Sequence, residues 1–143
     1  MKAIRIHSRG GPKQLVYENA PVPQLGTGDA LVRVYATGIT PAELTWSATY
    51  EHPDGSERIP SIPGHELSGV VEALGAEATR IKVGDEVYGL TDFPRDGAAA
   101  EYIAVQATNL ALKPKTLDHA RAESRPVDGD RAPDRQRPAS SGC

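Results

Sequence analysis

The sequence is poor in cysteine, the residue on which disulfides and many zinc sites depend. Its one cysteine is Cys143, the last residue, so no disulfide can form within the chain. A structural zinc site built from four closely spaced cysteines is excluded by the same count. A reducing compartment is the usual home of such a chain, and we expect a cytoplasmic protein.

Basic charge and long apolar runs are also scarce. The formal net charge is -3, whereas nucleic-acid binding needs a concentrated basic face. No apolar run reaches the roughly 18 residues that cross a bilayer, and residues 1–5 lack the apolar core of a signal peptide. We therefore expect neither nucleic acid nor a membrane as a partner.

Glycine and proline, by contrast, are abundant, at 14 and 12 of 143 residues. They divide the chain into short segments in which apolar and polar residues alternate, as they do in half-buried strands. In the clearest segment, residues 30–37, Val32, Val34 and Ala36 share one face. Short strands separated by glycine and proline predict a mainly β fold, an irregular β-barrel.

Two apolar runs in the middle of the chain, Pro63–Gly75 and Val83–Gly89, predict two strands joined by a tight connection. His65 and Glu66 stand at the entrance of the first strand. Side chains at such a place often face a cleft, but they can equally satisfy backbone groups. The residues alone leave both interpretations open.

A helix start is predicted at Thr40, with Pro41 at the first helical position and Glu43 at the third, the spacing of a capping box. Free N–H groups at a helix start also suit a cofactor or an oxyanion. Trp46 and Tyr50 follow with a spacing of four residues. Such a pair is more often packed together than used for binding.

The order of these motifs resembles the N-terminal, GroES-like domain of the medium-chain dehydrogenase/reductase superfamily. The resemblance covers residues 1–118 and depends on linked motifs at the family's spacing: Pro63-Gly64-His65-Glu66, Gly69-Val70-Val71, Val83-Gly84-Asp85-Glu86-Val87-Tyr88-Gly89 and Ala100-Glu101-Tyr102. It implies a GroES-like irregular β-barrel with one or two short helices. In the family this domain lies on the substrate and nicotinamide side of the enzyme.

Zinc-dependent members of that superfamily carry a cysteine and a histidine where this chain has Thr40 and Pro41. The resemblance therefore implies the zinc-independent branch, similar to quinone oxidoreductases of the zeta-crystallin-like group. These enzymes transfer a hydride from NADPH to a quinone or an activated alkene, and no acid–base residue is obligatory. By resemblance, Thr40 and Pro41 line the nicotinamide pocket, while Glu43, Trp46 and Tyr50 line the substrate side. Catalytic residues are not assigned, and no metal is expected.

The resemblance stops at residue 118. Residues 119–143 contain five arginines, three prolines and a single large aliphatic residue, Val127. Such a segment buries too little apolar surface to offset the entropy of ordering, so we expect it to be disordered. Its composition is typical of a GC-rich gene translated out of frame, which suggests a truncated reductase; a genuine flexible tail is the alternative.

No Gly-x-Gly-x-x-Gly turn occurs in the sequence, so a Rossmann domain, which would hold the pyrophosphate of NADPH, is not expected in this chain. We expect weak cofactor binding and little turnover by the chain alone. Two alternatives remain. One is a stand-alone GroES-like module that binds a ligand or partner. The other is a co-chaperonin, which would assemble into a seven-membered ring and needs a mobile loop with an apolar tip.

Overall fold

The computed structural model describes residues 1–124, and the chain in this range is built mainly from strands. The strands are β1 (Lys2–Ile6), β2 (Leu15–Asn19), β3 (Asp29–Gly38), β4 (Glu66–Leu74), β5 (Glu86–Leu90), β6 (Tyr102–Gln106) and β7 (Leu110–Leu112). Two short helices, α1 (Ser47–Tyr50) and α2 (His119–Ala122), and three 3₁₀ turns (Gly11–Gln14, Pro41–Thr45 and Ala107–Asn109) complete the described part. None of its helices has the length and hydropathy that crossing a bilayer requires.

The strands form two antiparallel sheets, and the predicted mainly β fold with short helices is confirmed. The larger sheet has the order β6-β3-β4-β5-β7, and β1 pairs with β2 in a second sheet. Isolated bridges from Ala3 to Ala100 and from Ile6 to Ser61 join the small sheet to the segments around the large one. In the described residues the sheets remain open at their edges, so the barrel-like arrangement is not fully closed.

The central strand β3 shows how far the alternation of side chains predicts burial. Val32 is fully buried, while Arg33 and Tyr35 are exposed, as the pattern predicted. The register shifts between Leu31 and Val32 and again between Val34 and Ala36. These irregularities bend the strand, so a strict two-residue period describes only part of it. The main core lies under this strand and contains Ala30, Val32, Leu67, Val71, Ile81, Val87, Ala98, Ile103, Val105 and Ala107.

The loop between β5 and β6 is held in place by a partly buried ion pair. Arg95 donates two parallel hydrogen bonds to the Asp29 carboxylate, at 3.0 and 2.7 Å. The Arg95 guanidinium holds the pKa of Asp29 below its ordinary value through these bonds. The next residue, Asp96, accepts a hydrogen bond from the Ile62 N–H at 3.0 Å. The loop is therefore fixed to β3 and to the segment that enters β4.

The end of the described chain packs on the large sheet. Asp118 accepts a hydrogen bond from the Arg121 N–H at 2.8 Å and so caps α2. Residue 118, where we placed the domain boundary, is thus the cap of a helical turn that contacts β3 and β4. The rest of the predicted tail, residues 125–143, lies outside the described residues, and its assignment as disordered and out of frame remains a prediction.

Close packing of β4 against β3 depends on Gly69. A Cβ atom at this position would lie 2.1 Å from the Arg33 carbonyl oxygen, a distance that the rigid backbone cannot accommodate. Gly28 offers a matched control, because a Cβ atom there meets nothing within 4 Å and its φ is not in the left-handed region.

We predict that Gly69→Ala lowers the free energy of unfolding by about 3 kcal/mol, because the strands must separate to admit the methyl group. Gly28→Ala should change it by no more than about 1 kcal/mol. Urea unfolding followed by circular dichroism measures both variants. Equal effects at the two positions would contradict the strand contact described here.

Candidate functional site

The buried carboxylate of Glu43 connects two loops of the structure. Oε2 accepts a hydrogen bond from the Thr40 N–H at 2.9 Å, which is the capping interaction predicted from the sequence. Oε1 accepts another from the Gly64 N–H at 2.9 Å. Glu43 is only 3% exposed, and hydrogen bonds to a charged acceptor are among the stronger ones. The 3₁₀ turn at residues 41–45 is thereby fastened to the segment that carries His65.

His65 is buried beside this carboxylate. Its Nε2 atom lies 3.5 Å from Glu43 Oε1, and its Nδ1 atom is buried without a hydrogen-bond partner among the described residues. Burial lowers the pKa of His65; Glu43 opposes this shift, and the Arg58 guanidinium adds to it. The imidazole is therefore neutral at neutral pH, with one ring nitrogen unused.

Two aromatic rings surround this histidine. The Phe93 ring lies edge-on to the His65 ring, with centroids 5.2 Å apart. Trp46 contacts Phe93 in a T-shaped arrangement at 4.8 Å, and its ring centroid lies 6.3 Å from that of His65. Phe93 is 51% exposed, so the aromatic cluster of Trp46, His65 and Phe93 has one side open to solvent.

A cavity of about 600 Å³ adjoins the aromatic cluster at Phe93. Leu90, Phe93 and Pro94 give it apolar walls, and Asp92 and Asn109 supply polar groups. Thr91 also lines it, and its buried Oγ1 has no hydrogen-bond partner in residues 1–124. An apolar cavity with a few polar groups is the usual form of a small-molecule site. A second cavity of about 560 Å³, beside Arg5, Arg95 and Ile103, contains none of the five residues predicted for the site.

The five residues that the sequence suggested have different surroundings in the structure. Thr40 and Pro41 are exposed at the start of the 3₁₀ turn, next to the Glu43 carboxylate. Trp46 lies in the aromatic cluster. Tyr50 points away from it: its hydroxyl donates to the Leu44 carbonyl at 2.6 Å, and its ring is 4% exposed within a core cluster. The structure thus brings Thr40, Pro41, Glu43 and Trp46 to one region, and Tyr50 packs in the core.

Phe93 and Thr91 were not singled out by the sequence reasoning. Both lie on the loop after β5, and the two residues that pin this loop, Asp29 and Arg95, are far apart in the sequence. The strand pairing is the signal that could have found them, because Glu66 lies opposite Leu90 in the register. His65 precedes Glu66 and Thr91 follows Leu90, so these two residues are also neighbours. The Thr91 N–H donates to the His65 carbonyl at 2.9 Å.

The donor set around His65 gives little support for a metal. Across residues 1–124 no cluster of three or more histidine, cysteine, aspartate or glutamate side chains could hold a metal ion. The Glu43 carboxylate is engaged by two backbone N–H groups, which leaves it poorly placed to act as a ligand. The absence of zinc remains a prediction.

The neutral state of His65 predicts a pH-dependent stability. In the unfolded chain histidine takes up a proton near pH 6.5, whereas folded His65 does so only at lower pH. As the pH falls below about 6.5, the unfolded state therefore binds more protons, and folding loses stability. His65→Asn should show a smaller loss between pH 7.5 and 5.5, by about 1 kcal/mol.

Urea unfolding at the two pH values measures this effect, with His52→Asn in an exposed loop as the control. If His65→Asn and His52→Asn both keep the pH dependence of the parent chain, His65 is not held neutral by its surroundings.

Known proteins that this chain resembles in sequence and structure include several oxidoreductases. The chain is 33% identical over 135 residues to the NADPH-dependent alkenal/one oxidoreductase of Arabidopsis thaliana, covering 89% of this chain and 34% of the relative. It is 33% identical over 122 residues to the quinone oxidoreductase of Pongo abelii, covering 82% and 35%. The structure of a quinone oxidoreductase from Coxiella burnetii matches with a TM-score of 0.79 and 26% identity, over 89% of this chain and 41% of that one. The chain therefore spans about a third of the length of the curated relatives it matches.

The family model for the alcohol dehydrogenase GroES-like domain matches residues 26–115. This range runs from the turn before β3 to the segment after β7 and includes the whole of the large sheet. It also contains Thr40, Glu43, His65 and Phe93, which form or border the site. The chain belongs to the alcohol dehydrogenase GroES-like domain family.

Proposed function

We propose that this chain is the substrate- and nicotinamide-side domain of an NADPH-dependent oxidoreductase that acts on quinones or enones. The observation that carries the proposal is the partly open aromatic cluster of Trp46, His65 and Phe93 beside an apolar cavity. The named activities of the Arabidopsis and Pongo relatives support the same substrate class, small molecules with an activated carbonyl group. The domain assignment, residues 1–118, is part of this proposal.

The residues around Glu43 fit the nicotinamide end of such a cofactor. Thr40 and Pro41 are exposed beside a rigid turn, and the unused His65 Nδ1 atom is a buried polar group that lacks a partner in the described chain. Bound NADPH would supply the hydride. Thr40 and Pro41 would hold the nicotinamide. The Glu43 carboxylate, through its hydrogen bonds to the Thr40 and Gly64 N–H groups, would fix them relative to the aromatic cluster.

The substrate side follows from the chemistry of the walls. Phe93 in the cavity wall, and Trp46 packed against it, offer flat apolar surfaces on which a planar quinone or enone can stack. Thr91 and Asn109 offer polar groups that can orient a carbonyl oxygen in the cavity. Neutral His65 is a weak proton donor at neutral pH, so positioning rather than acid–base catalysis is the contribution of this domain. We propose no role for Tyr50 beyond packing.

The proposal includes a zinc-independent mechanism and a cytoplasmic location. Thr40 stands where zinc-dependent relatives have a ligand, and the Glu43 carboxylate is occupied by backbone N–H groups. The Arabidopsis relative is named as chloroplastic, so location varies among the chains that this one resembles.

We predict that the purified 143-residue chain reduces a 1,4-quinone with NADPH at a negligible rate. The sequence offers no Gly-rich turn for the pyrophosphate, and the affinity of the adenine half is thereby lost. Loss of absorbance at 340 nm measures the rate. Ordinary turnover by this chain alone would overturn this part of the proposal.

The single tryptophan makes Trp46 a specific fluorescence reporter of the site. Reduced nicotinamide mononucleotide or a 1,4-quinone should quench its emission saturably, whereas adenosine 2′,5′-bisphosphate should not. Phe93→Ala should raise the dissociation constant of the quinone, as measured by this quenching, about tenfold or more, because a stacking surface is lost. Val83→Ala, at another exposed apolar residue near the opposite end of β4 and β5, is the control.

Quenching no stronger than that of free N-acetyltryptophanamide, or equal quenching in both variants, would contradict the proposed site. Binding of a different ligand with no response to nicotinamide would favour the stand-alone binding module. Elution of the chain as a seven-membered ring would favour the co-chaperonin alternative.

A further inference from the structure

The cavity beside Phe93 has a one-sided charge. Among residues 1–124, its lining includes a single charged side chain, that of Asp92, together with apolar residues and neutral polar ones. Asp92 directly precedes Phe93, so both residues belong to the same stretch of the wall. Aspartate side chains are normally ionised at neutral pH. A ligand in this cavity therefore meets one negative charge.

The charge of Asp92 is not cancelled by its neighbours in the described chain. Its Oδ1 atom accepts a hydrogen bond from Asn109 Nδ2 at 3.2 Å, and an amide is neutral. Arg95 is directed to Asp29, to which it donates bonds at 3.0 and 2.7 Å. Asp29, and more weakly Asp92, raise the pKa of Arg95. Two carboxylates thus act on one guanidinium, and one negative charge is left over at the cavity.

The Glu43 carboxylate adds a second negative charge beside the aromatic cluster. Its hydrogen bonds come from two backbone N–H groups, which are neutral. The adjacent His65 imidazole is uncharged at neutral pH, because burial lowers its pKa. Arg58, the cation that acts on His65, pairs with Asp96 at 3.4 Å. The region of the proposed site therefore has an excess of negative charge.

The size of the cavity brings a bound ligand within reach of Asp92. A sphere of about 600 Å³ is about 10 Å across, which is about the Debye length at 0.1 M salt. A charged substituent in the cavity therefore interacts with Asp92 with little screening. An anionic substituent is repelled, and the described lining offers it no arginine, lysine or histidine as a partner. Removal of such an unpaired charge from water is costly.

We propose that Asp92 makes this cavity selective for uncharged quinones and enones and excludes those that carry a carboxylate or another anionic group. The inference rests on the proposed function, because it names the substrate class that the same site accepts. Asp92 acts by repelling the wrong ligand, and this is one of the two general ways in which a site becomes specific.

Two quinones that differ in charge test this proposal on the 143-residue chain. One is a trimethyl-1,4-benzoquinone with a 2-carboxyethyl chain on the ring, and the other is its neutral primary amide. Their fully substituted rings do not add thiols. Quenching of the single tryptophan, Trp46, gives the dissociation constant of each. At pH 7.5 and low salt, the parent chain should bind the amide at least about tenfold more tightly than the acid.

Three variants show whether Asp92 sets this preference. Asp92→Asn removes the charge and keeps an acceptor for Asn109, so the preference should fall to about threefold or less. Thr108→Lys, at an exposed residue of the same lining, adds a positive charge and should lower the preference as well. Glu77→Gln is the matched control. It removes an equal charge from an exposed residue beyond the other end of β4, and it should keep the preference of the parent chain.

The outcomes separate this proposal from the proposed function. Equal binding of the acid and the amide by the parent chain would overturn the charge selectivity and leave the site standing. An undiminished preference in Asp92→Asn would also overturn it, as would an equal loss of preference in Glu77→Gln. Saturable quenching by neither quinone would overturn both the selectivity and the proposed function.

Discussion

The site depends on one buried carboxylate, that of Glu43. It receives the Thr40 N–H from its own turn and the Gly64 N–H from a loop 21 residues away. Removing a partner from a buried charge costs several kcal/mol, so the two loops are held together firmly. This single group positions Thr40 and, through Gly64, the neighbouring His65. The Asp29–Arg95 ion pair helps to hold the loop that carries Phe93.

The sequence predicted the local half of this arrangement. The spacing of Thr40 and Glu43 indicated a capping interaction, because both partners lie within one turn of chain. The Gly64 contact could not be predicted in this way, since it arises from the pairing of distant segments. The same distinction explains why Tyr50 lies apart from Trp46 and why Phe93 was not predicted. A four-residue spacing suggested that Trp46 and Tyr50 share a face. In the structure Trp46 has an extended backbone between the 3₁₀ turn at residues 41–45 and α1, and its aromatic partner comes from the loop after β5.

The fold was easier to predict than the site for a physical reason. The sequence signals for strands are the alternation of apolar and polar residues and the glycine-rich turns, and both depend only on short stretches of the chain. They predicted β3, β4 and β5 with small errors at the ends. The register shift of β3 between Val34 and Ala36 lies where β4 packs closely against it at Gly69. The contacts of α2 depend on groups from three different strands. Such details need the tertiary structure, and they include the groups that matter most for binding.

The most direct test of the account is a chimera in which residues 1–118 replace the corresponding domain of the quinone oxidoreductase from Coxiella burnetii, the structure matched with a TM-score of 0.79. The measurement is NADPH oxidation with a 1,4-quinone, together with NADPH affinity. The account predicts that the chimera regains quinone-dependent oxidation and that Phe93→Ala reduces it while Val83→Ala does not. A folded chimera that binds NADPH but transfers no hydride to any quinone or enone would contradict the account.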